Sequence, residues 1–391
     1  MKPQVIFISQ NIPVFERRIG RARSVLREVS PSSLFSRVEP KIRRVGLLAA
    51  LVMLLTAVPS PAGQAEQALN EGLKLHEAGK PKEAIRDYDR AIKANPKLAE
   101  AYFNRGNAYY DLGHNEQAIK DYSQVIRLSP KDAEAFYNRG NAYRRLKKDD
   151  LALKDYTAAV KLTPEDAKNY VNRGSIHFDA RRYDSAIKDY SEAIRINPQD
   201  ADNFYNRGNS YLALDQKNEA IKDYDEAVSL DSKLADAFYN RGIAYADLGQ
   251  HGSALRDFSA TIELQPKNAD AYYNRGLAHA KLGKLEAAIE DLSECIRLSP
   301  KDPEAPYNRG LAYLRIEKYD HAARDFSEVI RVQPRNGDVY IYRGIARIYQ
   351  GREKEADLDF QKAFQLNPSL KKKLEPLIQE AKDKARVKAK E

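Results

Sequence analysis

Seven asparagines stand at intervals of 34 residues, at Asn104, Asn138, Asn172, Asn206, Asn240, Asn274 and Asn308. A carboxamide offers two donors and an acceptor. A row of them could hold the backbone of an extended polypeptide. Each is followed by Arg and Gly, and most are preceded by an aromatic residue: Phe103, Tyr137, Tyr205, Tyr239, Tyr273 and Tyr307. Four residues upstream the chain is mostly acidic, with Glu100, Glu134, Asp202, Asp236, Asp270 and Glu304. Three residues downstream it changes character, from Asn107, Asn141, Ser175 and Asn209 to Ile243, Leu277, Leu311 and Ile345. The recurrence has a second reading, in which the asparagines are inherited by duplication and merely solvated.

Other chemistry finds little support. The single cysteine, Cys295, allows no intrachain disulfide, and the six histidines are scattered without metal-ligand spacing. Neither a glycine-rich phosphate loop nor a nucleophile elbow interrupts the repeating pattern. Outside residues 65–370 only 64 residues at the start and 21 at the end remain. The first of these is largely leader, and a stable catalytic domain rarely forms below about 40 residues without metals or disulfides. The expectation is a non-enzymatic chain that needs neither cofactor nor metal.

A fixed period must be read before local propensity. Number each 34-residue unit from 1, with Ala99 as position 1 of the second. Apolar and small residues then fall at helical spacing in two segments, broken near Gly113. Gly113 suits a helix C-cap. Asp132 suits the N-cap of the next helix, as do Asp166, Asp200, Asn268, Asp302 and Asn336. Each unit therefore reads as two antiparallel helices. Glycine at position 8 and alanine at position 20 occur in all nine units, where a minimal side chain lets the two helices approach closely. Arginine fills position 7 from Arg105 to Arg343, and aspartate fills position 23 from Asp87 to Asp359. Opposite charges recurring in step suggest pairing, within a unit or between neighbours. As surface pairs they would contribute ~0–1 kcal/mol each.

Tyr102, Gly106, Tyr109, Ala118, Tyr122, Val125 and Pro130 carry a pattern that resembles the tetratricopeptide (TPR) repeat. The resemblance spans residues 65–370 and recurs nine times. It implies an all-α, right-handed superhelical solenoid of nine helix-turn-helix repeats, closed by a capping helix and basic tail at 371–391. It also implies that positions 2, 5, 6, 9 and 13 line a concave groove. Asn104 through Asn308 would form a ladder there, with Tyr137, Tyr205, Tyr239, Tyr273 and Tyr307 beside it. A similar ladder occurs in the TPR arm of the O-linked N-acetylglucosamine transferases. The clamp by which some TPR proteins hold chaperone tails is not matched, because Phe103 and Asn172 replace two of its cations. The partner implied is a protein or peptide. Alternatives are a membrane-anchored or cytoplasmic scaffold using its outer face, or the targeting subunit of a separately encoded enzyme.

Net charge is +9, yet it lies at the ends. Residues 1–64 hold 10 Lys/Arg against 3 Asp/Glu, and residues 65–370 hold 47 against 49. The repeats lack the basic stripe that phosphate binding requires, so nucleic acid is not an expected partner. Within the basic leader of residues 1–62, the run Val45–Val58 is uncharged, follows Lys41, Arg43 and Arg44, and ends at Pro59. Small residues follow at Ser60-Pro61-Ala62 and Gly63-Gln64-Ala65. That sequence has the form of a secretory signal. The run is shorter than the ~20 residues of a spanning helix. The expectation is export to the periplasm or beyond, with membrane attachment only if the segment is not cleaved.

Overall fold

The computed structural model describes residues 60–388. The proposed leader core at 45–58 lies outside the described residues. The described chain is helical throughout, with short turns and no strand, and it divides into two compact units at Leu162 and Thr163.

In the first unit, three helix pairs follow one another: α1 (Pro61–Glu77) with α2 (Pro81–Ala94), α3 (Ala99–Asp111) with α4 (Asn115–Leu128), and α5 (Ala133–Arg145) with α6 (Asp149–Leu162). The second unit continues with α7 (Ala167–Asp179) and α8 (Tyr183–Ile196), α9 (Ala201–Ala213) and α10 (Lys217–Leu230), and α11 (Ala235–Asp247) and α12 (His251–Leu264). Then come α13 (Ala269–Lys281) with α14 (Leu285–Leu298), α15 (Glu304–Arg315) with α16 (Tyr319–Val332), and α17 (Gly337–Tyr349) with α18 (Glu353–Leu366). A last helix, α19 (Ser369–Lys388), covers the end of the second unit and buries Ile378.

Why these helices pair is visible at positions 8, 20 and 24. All the position-20 alanines, from Ala84 to Ala356, are fully buried. The position-8 glycines lie under the position-24 side chain of their own repeat, a ring in every repeat but one, where Gly276 meets Leu292. A Cβ on Gly208 would stand 2.8 Å from Cε1 of Tyr224, closer than carbon atoms tolerate. The rings themselves are buried, as at Tyr122, Tyr156, Tyr224, Phe258 and Phe326. Cys295, at position 27 where other repeats carry Ala, Val or Thr, is 2% exposed, and burial pushes its thiol up to about 12. It is a packing residue with little thiolate character.

The caps follow the expected placement with one exception. Asp132, Asp166, Asp200 and Asn268 accept bonds from backbone N–H groups of the next first turn, and Asp302 accepts from the N–H of Glu304. Asn336 makes no such bond; its amide instead donates to Gln333 at 3.3 Å.

At position 15, where the first helix ends, all nine repeats adopt positive φ. Glycine supplies it at Gly79, Gly113, Gly249, Gly283 and Gly351, but Lys147, Arg181, Asp215 and Glu317 adopt it with side chains, at φ 56–62°. A residue with a Cβ is strained there by roughly 1–2 kcal/mol. Glycine loses part of that advantage through its freer unfolded chain. Replacing all four by glycine should therefore raise stability by ~0.5–1 kcal/mol per site, read as the shift in urea midpoint at unchanged helicity.

Candidate functional site

Within each unit the residues in question lie on the first helices of the pairs, the odd-numbered ones up to α17. Its most regular feature is an ion pair that turns away from it. Arg105 donates to Asp121 through Nε at 2.8 Å and Nη2 at 2.7 Å. The same two-pronged contact recurs from Arg139 with Asp155 to Arg343 with Asp359, always 16 residues apart and always within one repeat. The expectation of exposed pairs is corrected here. The aspartate side chains of these pairs are 4–9% exposed and the arginines 14–23%. Burial raises the carboxyls of Asp121 and Asp223 against the pull of Arg105 and Arg207. The arginine's remaining nitrogen reaches back to position 25 of the preceding repeat, for example Ser123 from Arg139, Asp225 from Arg241 and Ser293 from Arg309. Its guanidinium also lies over the position-4 ring, 5.4 Å from the centroid of Phe238 in the case of Arg241.

The first repeat lacks the arginine. Glu71 stands at position 7, and Arg90 bridges it to Asp87 instead. Two repeats place a histidine at position 11 near the fork, with Nε2 of His177 3.9 Å from Asp189 and that of His279 3.8 Å from Asp291. Burial holds both imidazoles below their usual range, outweighing those carboxylates.

The asparagines of position 6 fall into four groups. Asn274 and Asn308 each donate twice, to the phenol of the preceding repeat (Tyr239 and Tyr273, 3.0 Å each) and to their own helix at Asp270 and Glu304 (2.9 Å each). Their amide oxygens accept no bond from the described residues. Asn240 is buried, and its amide is committed to Asn209 at 2.9 Å and Tyr205 at 3.3 Å. Asn104 donates to the carbonyl of Glu100 at 2.9 Å, and Asn138 to Asn107 at 3.3 Å. Asn172 and Asn206 are half-buried on α7 and α9. The tyrosines are half-buried too. Tyr137, Tyr205, Tyr239 and Tyr307 lie 5.8–6.2 Å, centroid to centroid, from the position-24 ring of their own repeat. Tyr205, Tyr239 and Tyr273 accept an asparagine N–H from the next first helix, so they join successive helices as well as facing outward.

The change in position 9 along the chain has a structural cause. Asn107, Asn141 and Asn209 accept the buried hydroxyls of Tyr122, Tyr156 and Tyr224 at 2.6–2.8 Å. Where position 9 becomes Ile243, Leu277, Leu311 and Ile345, position 24 becomes Phe258, Leu292, Phe326 and Phe360, which have no hydroxyl to satisfy. The first repeat breaks the rule. Leu73 stands opposite Tyr88, whose buried hydroxyl has no partner among the described residues. Among the described residues, no group of three His, Cys, Asp or Glu could hold a metal ion, and no helix is long and apolar enough to cross a membrane.

This is a chain of antiparallel helix pairs on a 34-residue period. Models of the TPR repeat match residues 72–113, 106–147, 174–215 and 208–249, and models of the tetratricopeptide repeat match 133–166, 239–303 and 307–369. The chain belongs to the tetratricopeptide repeat family, and it is a protein–protein interaction module, of a kind generally without enzymatic activity. Among solved structures it is similar to the C-terminal part of a TPR repeat-containing protein from Cytophaga hutchinsonii, at 19% identity and a TM-score of 0.54 over 61% of this chain and 97% of that one. YrrB, described as a TPR protein with an unusual peptide-binding site, is 28% identical over 46% of this chain and 92% of its own, with a TM-score of 0.43. A tetratricopeptide repeat protein from Parabacteroides merdae is 22% identical over 63% and 98%, with a TM-score of 0.46. No curated protein matches the chain.

The coupling of positions 9 and 24 can be measured. Asn209→Leu should destabilise by ~1–3 kcal/mol, because the Tyr224 hydroxyl loses its acceptor while staying buried. Adding Tyr224→Phe should recover most of that loss. A double-mutant cycle by urea unfolding gives the coupling directly.

Proposed function

We propose that the chain is a non-enzymatic adaptor that holds an extended polypeptide segment along the face of its first helices, in an exported form. The observation that carries this reading is the bonding of Asn274 and Asn308. Both amide hydrogens of each side chain are spent on the protein, on the preceding tyrosine and on its own helix. The carbonyl oxygens are fixed in direction and remain able to accept. The tyrosine oxygens that receive those bonds keep a proton to donate. A backbone N–H and a backbone C=O of a passing segment would find one partner each per repeat. Preorganisation of this kind lowers the entropy lost on binding.

Asn240 fits the scheme less well, since burial commits it to Asn209 and Tyr205. The binding role is therefore concentrated at Asn206, Asn274 and Asn308. Changing these three to alanine should weaken a captured partner by roughly tenfold or more, at ~0.5–1.5 kcal/mol per lost bond, with helicity retained. Calorimetric titration decides it. Unchanged affinity in the folded triple variant would favour an assembly scaffold working through its outer face.

Export rests on the leader pattern. Ser60 caps α1 by accepting the N–H of Gly63 at 3.2 Å, and Ala65 is 1% exposed within that helix. A cut after Ala62 would remove only the cap and the first two helical residues, whereas a cut after Ala65 would remove a buried one. The mature chain is accordingly expected to begin at Gly63. N-terminal sequencing of the native protein checks it, and a full-length chain in the soluble cytoplasmic fraction would contradict it.

A further inference from the structure

The first helices α9, α11, α13, α15 and α17 each carry an acid at position 2: Asp202, Asp236, Asp270, Glu304 and Asp338. All are exposed except the half-buried Asp236. None is paired with a cation among the described residues, in contrast to the position-23 aspartates of the same repeats, each of which is gripped by an arginine. Lys233, Lys267, Lys301 and Arg335 stand in the preceding turns, and none bridges to these carboxylates. The arginines of position 7 on these helices are turned into the forks. Negative charge thus accumulates along one edge of the face. Partial desolvation of the carboxyl, and then the neighbouring Asp200 and Asp231, raise Asp202; the same partial desolvation and then Asp302 raise Asp270. From Asp236 onward, each acid also acts on the preceding repeat's position-5 tyrosine: Asp236 on Tyr205, Asp270 on Tyr239, Glu304 on Tyr273 and Asp338 on Tyr307. Burial, followed by the Asp270 charge, raises the Tyr239 phenol, and burial, followed by the Glu304 charge, pushes that of Tyr273 up to about 12.

We propose that the face of α9 to α17 takes a basic extended segment, whose lysine or arginine side chains meet successive carboxylates of Asp202, Asp236, Asp270, Glu304 and Asp338. The proposal rests on the groove reading given above and adds the chemistry of the partner. Charge complementarity selects the occupant: an uncompensated acidic row disfavours an acidic segment and favours a cationic one. Spacing narrows it further. Packed helices lie ~8–10 Å apart, and successive first helices touch through Asn274 with Tyr239 and Asn308 with Tyr273. A segment in the polyproline II form has three residues per turn and advances ~3.1 Å per residue, so a cation at every third residue faces the same side and, at ~9 Å intervals, keeps step with the repeats. The residues between can rest on the half-buried tyrosine rings.

An acid in the first turn of a helix also steadies that helix through its dipole. This role predicts a change in melting temperature and no preference among ligands. The experiment separates the two by using the full chain with two labelled peptides, four repeats of Lys-Pro-Ala and four repeats of Glu-Pro-Ala, read by fluorescence anisotropy. The lysine peptide should bind at least tenfold more tightly than the glutamate peptide. The triple variant Asp236→Asn, Asp270→Asn, Glu304→Gln should weaken the lysine peptide at least tenfold. Glu226→Gln, Glu263→Gln, Glu290→Gln makes the same change in net charge on exposed second-helix positions and should weaken it less than twofold. Circular dichroism confirms that both variants are folded. Equal losses in the two triples, equal binding of the two peptides, or no binding of the lysine peptide would overturn the proposal. A captured partner that loses affinity in the asparagine variant but not in the carboxylate variant would overturn it as well, while leaving the groove reading in place.

Discussion

The two-pronged contact between the arginine of position 7 and the aspartate of position 23 is the constraint on which the rest depends. From the second repeat to the ninth it closes the helix pair at a fixed offset of 16 residues, and the same arginine reaches position 25 of the preceding repeat, as Arg139 and Arg241 do. One side chain thus sets the spacing within a repeat and the register between repeats. Only a planar guanidinium can bond a carboxylate through two parallel N–H groups while offering a third elsewhere. Because the aspartates are buried, loss of the arginine would strand a charge, at a cost of about 3–5 kcal/mol. An exposed pair would contribute far less. The fork is placed beside the glycine of position 8, so the close approach of the two helices and the charge pair that aligns them occur at one level.

That arrangement answers why a charged residue and a glycine sit in the middle of an apolar helix. The arginine stem and the position-4 ring cover one another, as Arg241 and Phe238 do. The glycine makes room for the position-24 ring. With both facing the packing seam, the neighbouring residues at positions 2, 5 and 6 are left on the other side of the helix. They join successive first helices by side-chain bonds and keep part of their bonding capacity in reserve.

Much of this was legible in the sequence because the period repeats the same physical problem in every unit. Glycine at 8, alanine at 20 and the cap aspartates announce the helix pairs, and equal recurrence of Arg and Asp announces a pairing. The sequence did not disclose how deeply Asp121 or Asp257 would be buried, since burial depends on how neighbouring helices close over them. The left-handed turn at position 15 is also obscured, because Lys147, Arg181, Asp215 and Glu317 adopt a conformation for which glycine is the usual sign. The exchange of Asn for an aliphatic residue at position 9 looked like a change in groove polarity. Its partner signal, the loss of the hydroxyl at position 24, was present in the sequence and explains it as core satisfaction. At Asn240 the spacing pointed to an open amide, whereas the contact with Asn209 and Tyr205 closes it. Helical periodicity assigns a residue to a face, but the neighbour opposite decides whether its atoms remain free.

The central claim is that partners engage the first-helix face and not the outer one. Site-specific photo-crosslinking in the full chain tests it most directly, with the reactive residue placed in turn at Asn206, at Asn308 and at the exposed second-helix positions Glu226 and Glu290. Each variant is irradiated with the same bound partner, and the crosslinked product is mapped by mass spectrometry. The account predicts crosslinks from Asn206 and Asn308, to neighbouring stretches of one extended segment, and none from Glu226 or Glu290. Crosslinks confined to Glu226 and Glu290 would contradict it.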